Sequence, residues 1–128
     1  MAISHAFCLA IAGGLGTLAR AGVAAVAVRW CGRGLPWGTL AVNVLGSFLF
    51  GLIMAVSRGR LGLPTGLETV LLVGFLGGFT TYSSFAFQSY DLMQQGRLFT
   101  AAMYVLATTF AALVAVGAGL LVGRNLVG

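Results

Sequence analysis

Charge is what this 128-residue chain lacks: seven arginines, no lysine, Glu68 and Asp91 are all it carries, 7% of its residues. A water-soluble domain spends about a quarter of its residues on charge to cover its surface. With 59% of the residues hydrophobic, a soluble globular protein is excluded, and the length allows a single domain, 1–128, at most. Every constellation an enzyme would need is also missing. No carboxylates pair, no glycine loop cradles a phosphate, no Cys/His cluster has metal-ligand spacing, and no nucleophile stands beside a base. The chain is read as a non-enzyme. Cys8 and Cys31 mark opposite ends of one apolar stretch, about 34 Å apart on a helix rising ~1.5 Å per residue, which excludes a disulfide between them. His5 has no partner ligand. The net charge of +5 comes without a basic run or interleaved aromatics, so the arginines are expected on lipid headgroups and not on nucleic acid.

What is present is four long uncharged or nearly uncharged runs. Residues 38–57, 69–90 and 98–123 are free of charge, and 6–28 is interrupted only by Arg20. Each is about 20 residues or longer, enough for a helix to cross the ~30 Å hydrocarbon core. The first run lacks the basic start and clean cleavage site of a signal peptide, so it reads as a genuine span. Trp30 and Trp37 flank the first loop, as interfacial aromatics do. The expected fold is therefore an all-α membrane protein of four transmembrane helices, at about 4–29, 37–57, 67–90 and 98–123.

Four spans place Arg58, Arg60 and Arg124 on one side of the bilayer and Arg29, Arg33 and Arg97 on the other. Three against three gives the positive-inside rule no preference. A chain without preference inserts either way up, so a dual-topology, antiparallel pair is expected.

Polar residues inside spans are costly and point to function. In the second span Thr39, Asn43 and Ser47 share one face at four-residue spacing; in the fourth, Thr100, Tyr104 and Thr108 do the same. Asn43 and Tyr104 lie at matching depth. Two readings stand side by side: interhelical hydrogen bonding, or a half-buried polar path between the two stripes. The third span contains Gly77-Gly78 followed by Phe79-Thr80-Thr81-Tyr82-Ser83-Ser84-Phe85, a poor helix interior. It is expected to break near its middle, freeing carbonyls that suit a hard cation. Gly74 and Gly78 also form a small-xxx-small pair fit for close helix packing, on a partner copy among other places. No carboxylate lies mid-span, which disfavours a small proton-coupled exporter. A silent structural subunit is the other competing class.

These segments resemble the Fluc/CrcB family of fluoride channels over nearly the whole chain. The resemblance rests on Gly13-Gly14-Leu15-Gly16 leading to Arg20, on Gly38-Thr39-Leu40-Ala41-Val42-Asn43-Val44-Leu45-Gly46, and on the run Gly74 to Phe85. It implies passive, electrogenic fluoride export across a bacterial inner membrane by an antiparallel homodimer, with a structural Na+ at the dimer centre. Carried over by position, it implies sodium ligation by the backbone carbonyls of Gly77 and Thr80. It also implies a fluoride pore formed by Asn43, Tyr82, Phe85, Tyr104, Thr108, Ser83, Ser84 and Thr39, and Arg20 at a vestibule. Three departures from the family pattern are visible: Tyr82 in place of phenylalanine, Gln88 at a commonly acidic position, and Ala112 and Val116 where a hydroxyl track would continue. Because some members pair two different chains, this chain is read either as self-pairing or as one half of a heterodimer with a paralogous chain.

Overall fold

The computed structural model describes residues 1–128 as helices joined by short loops. Helix α1 (Ile3–Cys31) stops at Gly32, whose φ of 78° is open to glycine and strained for other residues. Helix α2 (Trp37–Ser57) follows after a short loop. The third span covers Thr65–Gln94 in four pieces: α3 (Thr65–Thr69), a π-helical turn (Val70–Phe75), α4 (Leu76–Phe79) and α5 (Tyr82–Gln94). A glycine turn at Gly96, φ 76°, leads to α6 (Leu98–Val127). Four helices are thus long and apolar enough to cross a membrane, and the chain is a multi-pass membrane protein.

Three of the spans outrun their uncharged runs. α1 begins before residue 4 and ends after 29, and α6 carries Arg124 in its last turn. Charge marks where hydrocarbon stops; the helix itself continues while its backbone stays paired and the arginine favours the negative C-terminal end.

Two helix pairs make the body, and both are built on backbone contact. Along α2 and α6, a Cβ placed on Gly119 would collide with the Phe48 carbonyl, one on Gly51 with the Val116 carbonyl, and one on Gly123 with Ala55. Between α1 and the third span, Gly16 lies against the Phe75 carbonyl, Gly78 against that of Gly13, and Gly74 against Ala12. The Gly74–Gly78 pair therefore packs on α1 of its own chain. Small residues let helices approach until dispersion and weak Cα–H···O contacts act, the substitute for hydrophobic driving force inside lipid.

Only 18 of 128 residues are buried, and Phe7, Leu18, Phe99 and Phe110 stand mostly exposed, as lipid-facing side chains do. One small apolar cluster, Val42 with Leu76 and Phe79, ties α2 to the third span, and Phe75 stacks on Phe79 at 6.0 Å. A second cluster, Leu92 with Ala101 and Tyr104, ties α5 to α6. At the far end of α2, the Ser57 hydroxyl donates to the Glu68 carboxylate and fastens the start of α3.

Candidate functional site

Thr80 and Thr81 separate α4 from α5. Thr80 is extended at φ −90°, ψ 161° and Thr81 at φ −152°, ψ 118°. The stop and the restart are both chemically satisfied. Thr80 sends its amide and its hydroxyl to the Leu76 carbonyl, at 2.9 and 2.8 Å. Thr81 then serves as the N-cap of α5, its hydroxyl accepting from the Ser84 amide at 3.2 Å.

The backbone of Thr81, buried and outside both helices, is clasped from α2. Asn43 Nδ2 donates to the Thr81 carbonyl at 2.9 Å, and Asn43 Oδ1 accepts from the Thr81 amide at 2.8 Å. This two-point contact fixes which end of the amide is the donor and leaves one Nδ2 hydrogen uncommitted. Gly46, one turn along α2, lets the helix come this close: a Cβ there would strike Thr80 Cγ2.

Diverting these donors affects two carbonyls in particular. In an unbroken helix, Gly77 would accept from Thr81 and Thr80 from Ser84. Here the Thr81 amide goes to Asn43 and the Ser84 amide to the Thr81 hydroxyl. No donor in the chain reaches the Thr80 carbonyl. Carbonyls released from a helix end carry the negative end of its dipole and suit a hard, oxygen-liking cation. Gly77 and Thr80 are therefore chemically fit to help hold Na+, which would supply positive charge beside the interruption.

The interruption opens on a cavity of about 560 Å³. Asn43, Gly77, Thr80, Tyr82, Phe85 and Thr108 all contribute to its wall, and no charged residue does. Thr108 is 4% exposed, yet its hydroxyl has no hydrogen-bond partner. A buried hydroxyl without a partner is costly unless something enters to meet it. Beyond Thr108 the α6 wall turns apolar at Ala112 and Val116.

Three aromatic rings make successive contacts, starting from two that line this cavity. Tyr82 and Phe85 lie 5.8 Å apart at 51°, and Phe85 and Tyr104 lie 5.4 Å apart at 42°. Tilted pairs of this kind turn ring edges, which are electropositive, toward neighbouring faces and gaps. The buried Tyr104 is the last of these contacts, its hydroxyl donating to Gln88 Oε1 at 3.3 Å.

Gln88 and Thr39 line a second recess of about 400 Å³ at the α1–α2 loop, together with Arg33, Arg97, Asp91 and Trp37. Arg97 braces it by donating to the Gly34 carbonyl at 3.0 Å. The structure therefore brings Asn43, Tyr82, Phe85, Tyr104 and Thr108 into one neighbourhood with Gly77 and Thr80. Thr39 belongs to the second recess. Ser83 is exposed and lines neither space, Ser84 serves the α5 cap, and Arg20, half-buried on α1, lines neither space. Ser47 does line the central cavity, but its hydroxyl bonds back to the Asn43 carbonyl at 2.6 Å. Sequence reasoning named Thr81 only as part of a poor helix, since nothing local announces a clasp spanning 38 positions.

A four-span membrane protein with an interrupted third span and an uncharged polar cavity is the class this geometry defines. The sequence profile described as "CrcB-like protein, Camphor Resistance (CrcB)" matches residues 7–120. The chain belongs to the CrcB family. Among its relatives is the fluoride-specific ion channel FluC of Geobacter sulfurreducens, 42% identical over 118 residues, covering 92% of this chain and 95% of the relative. The protein of that name from Agrobacterium fabrum is also 42% identical, over 92% of this chain and 94% of its own length. That of Magnetococcus marinus is 40% identical over 91% of this chain and 94% of its own.

Proposed function

We propose that this chain forms a fluoride channel of a bacterial inner membrane, conducting fluoride passively and electrogenically out of the cell. The observation that carries the reading is the central cavity: donors without fixed charge, set at the interruption of a transmembrane helix. Fluoride is small and strongly hydrated, so a pore must replace its water with donors of similar strength. The free Nδ2 hydrogen of Asn43 and the unpartnered Thr108 hydroxyl are such donors. Neither forms the deep trap that a buried lysine or arginine would make. The N-terminus of α5 adds partial positive charge at the same place, and Phe85 and Tyr82, aromatic rings with electropositive edges, line the cavity.

Two copies related antiparallel complete the channel in this reading. The cavity is open on the side where Tyr82, 81% exposed, and Gly77 stand uncovered, and a second copy would close it. Na+ held by the Gly77 and Thr80 carbonyls of both copies would tie the two interruptions together without being transported. Replacing Na+ by N-methylglucamine is then expected to lower the melting temperature of the purified dimer and to silence fluoride flux. Identical melting curves in the two buffers would remove the cation from the assembly.

Ala112 and Val116 favour a second reading, in which this chain is one half of a heterodimer and its own α6 track serves a weakened pore. Fluoride efflux from liposomes holding only this chain, with Na+ present and valinomycin clamping K+, separates the two. Fast fluoride release without chloride release supports the self-sufficient channel. Silence from a folded dimer supports the heterodimer.

A further inference from the structure

At the end of the molecule opposite the loop recess, α2, the α2–α3 loop and α6 enclose another recess, of about 410 Å³. Its rim carries Arg58, Arg60 and Arg124, three of the seven arginines in the chain. Its walls include Ala55, Leu120 and Val127. Arg124 is more than sixty positions from Arg58 and Arg60 in sequence, and Gly59 brings them together: a Cβ there would press on Val127, so the loop lies flat against the end of α6.

Electrostatically the recess is one-sided. The chain has two acidic side chains, and neither lines it. Glu68 is taken by the Ser57 hydroxyl, while Asp91 bonds Gln95 at the other end and lines the loop recess. Even with the Gly128 carboxylate at the rim, positive charge is in excess. The contrast with the loop recess, where Arg33 and Arg97 face Asp91, is plain.

We propose that this recess is a binding site for the phosphodiester headgroup of an anionic phospholipid. Guanidinium forks match phosphate oxygens in two-point contacts, and basic pockets between spans at the membrane surface are suited to acidic headgroups. The apolar walls distinguish a lipid from a free phosphate ion, because the glycerol and first methylenes of an acyl chain find Ala55, Leu120 and Val127 in the same recess as the charge. The site is independent of what the channel conducts.

Native mass spectrometry of the full-length protein in neutral detergent, with phosphatidylglycerol or phosphatidylcholine added, tests this. Phosphatidylglycerol is expected to bind about tenfold or more tightly than phosphatidylcholine, and R58Q/R60Q/R124Q to abolish the difference. R29Q/R33Q/R97Q removes equal charge from the opposite end and is expected to keep it. A preference that survives R58Q/R60Q/R124Q, or that both triple variants lose equally, overturns the site. Displacement of phosphatidylglycerol by equimolar inorganic phosphate assigns the recess to a free anion and overturns the lipid. Where the triple variant fails to fold, R124Q, which leaves the loop intact, is expected to weaken phosphatidylglycerol binding about threefold or more; unchanged binding overturns the proposal.

Discussion

Asn43→Asp is expected to abolish fluoride permeation while leaving the protein folded. The carboxylate keeps an acceptor for the Thr81 amide, now met at 2.8 Å by Oδ1. It loses the donor that reaches the Thr81 carbonyl and the second hydrogen that faces no partner. More damaging is the charge. Like charges about 4 Å apart at an effective dielectric near 20 repel by about 4 kcal/mol, which corresponds to a ~1000-fold fall in flux. The measurement is fluoride efflux from liposomes, with gel filtration showing that the variant elutes as wild type does. Flux within twofold of wild type would take Asn43 out of the anion path and leave it solely as the clasp on Thr81.

The double role of Asn43 illustrates what the sequence discloses and what it withholds. The spacing of arginines, Glu68 and Asp91 locates the four spans, with Arg20 the one charge inside a run, because a charge in hydrocarbon is expensive enough to punctuate the chain. It also sorts the arginines correctly by end, since Arg58, Arg60 and Arg124 meet in one recess and Arg33 and Arg97 in another. Periodicity places Asn43, Tyr104 and Thr108 on inward faces, and the Gly-Gly and hydroxyl run draws attention to the residues around Thr80. Beyond that, local pattern carries no information about partners. Val70–Phe75 reads as ordinary apolar helix, yet it winds as a π-turn, which changes the face that Gly74 and Gly78 present and seats them on α1. Asn43 reads as a donor in a polar stripe; its clasp on Thr81 exists only once α2 has closed on the third span through Gly46. Thr39 belongs by periodicity with Asn43, but the cavity ends before reaching it, and it lines the loop recess with Gln88.

Glycine placement on α6 yields the largest structural prediction, because two nearby glycines have opposite surroundings. Gly119 is buried, and a Cβ there would meet the carbonyl of Phe48 and, at 2.9 Å, the amide of Leu52. Both obstacles are backbone, so no rotamer change on α2 relieves the clash. Gly117 is exposed and has nothing within 4 Å of its Cβ position. Gly119→Leu must push α2 and α6 apart, and overpacking of a tight contact costs about 1–3 kcal/mol even where side chains can yield. With rigid backbone on the other side the cost exceeds that range, against a total stability of about 5–15 kcal/mol. Gly119→Leu is therefore expected to yield aggregated protein or a melting temperature lowered by at least ~10 °C, whereas Gly117→Leu should melt as wild type does. The loss would extend to function, since α2 supplies Asn43 and α6 supplies Thr108 to the same cavity, and separating the helices separates these donors. A monodisperse Gly119→Leu protein with wild-type melting would show that the α2–α6 contact is not the element that holds the cavity in shape.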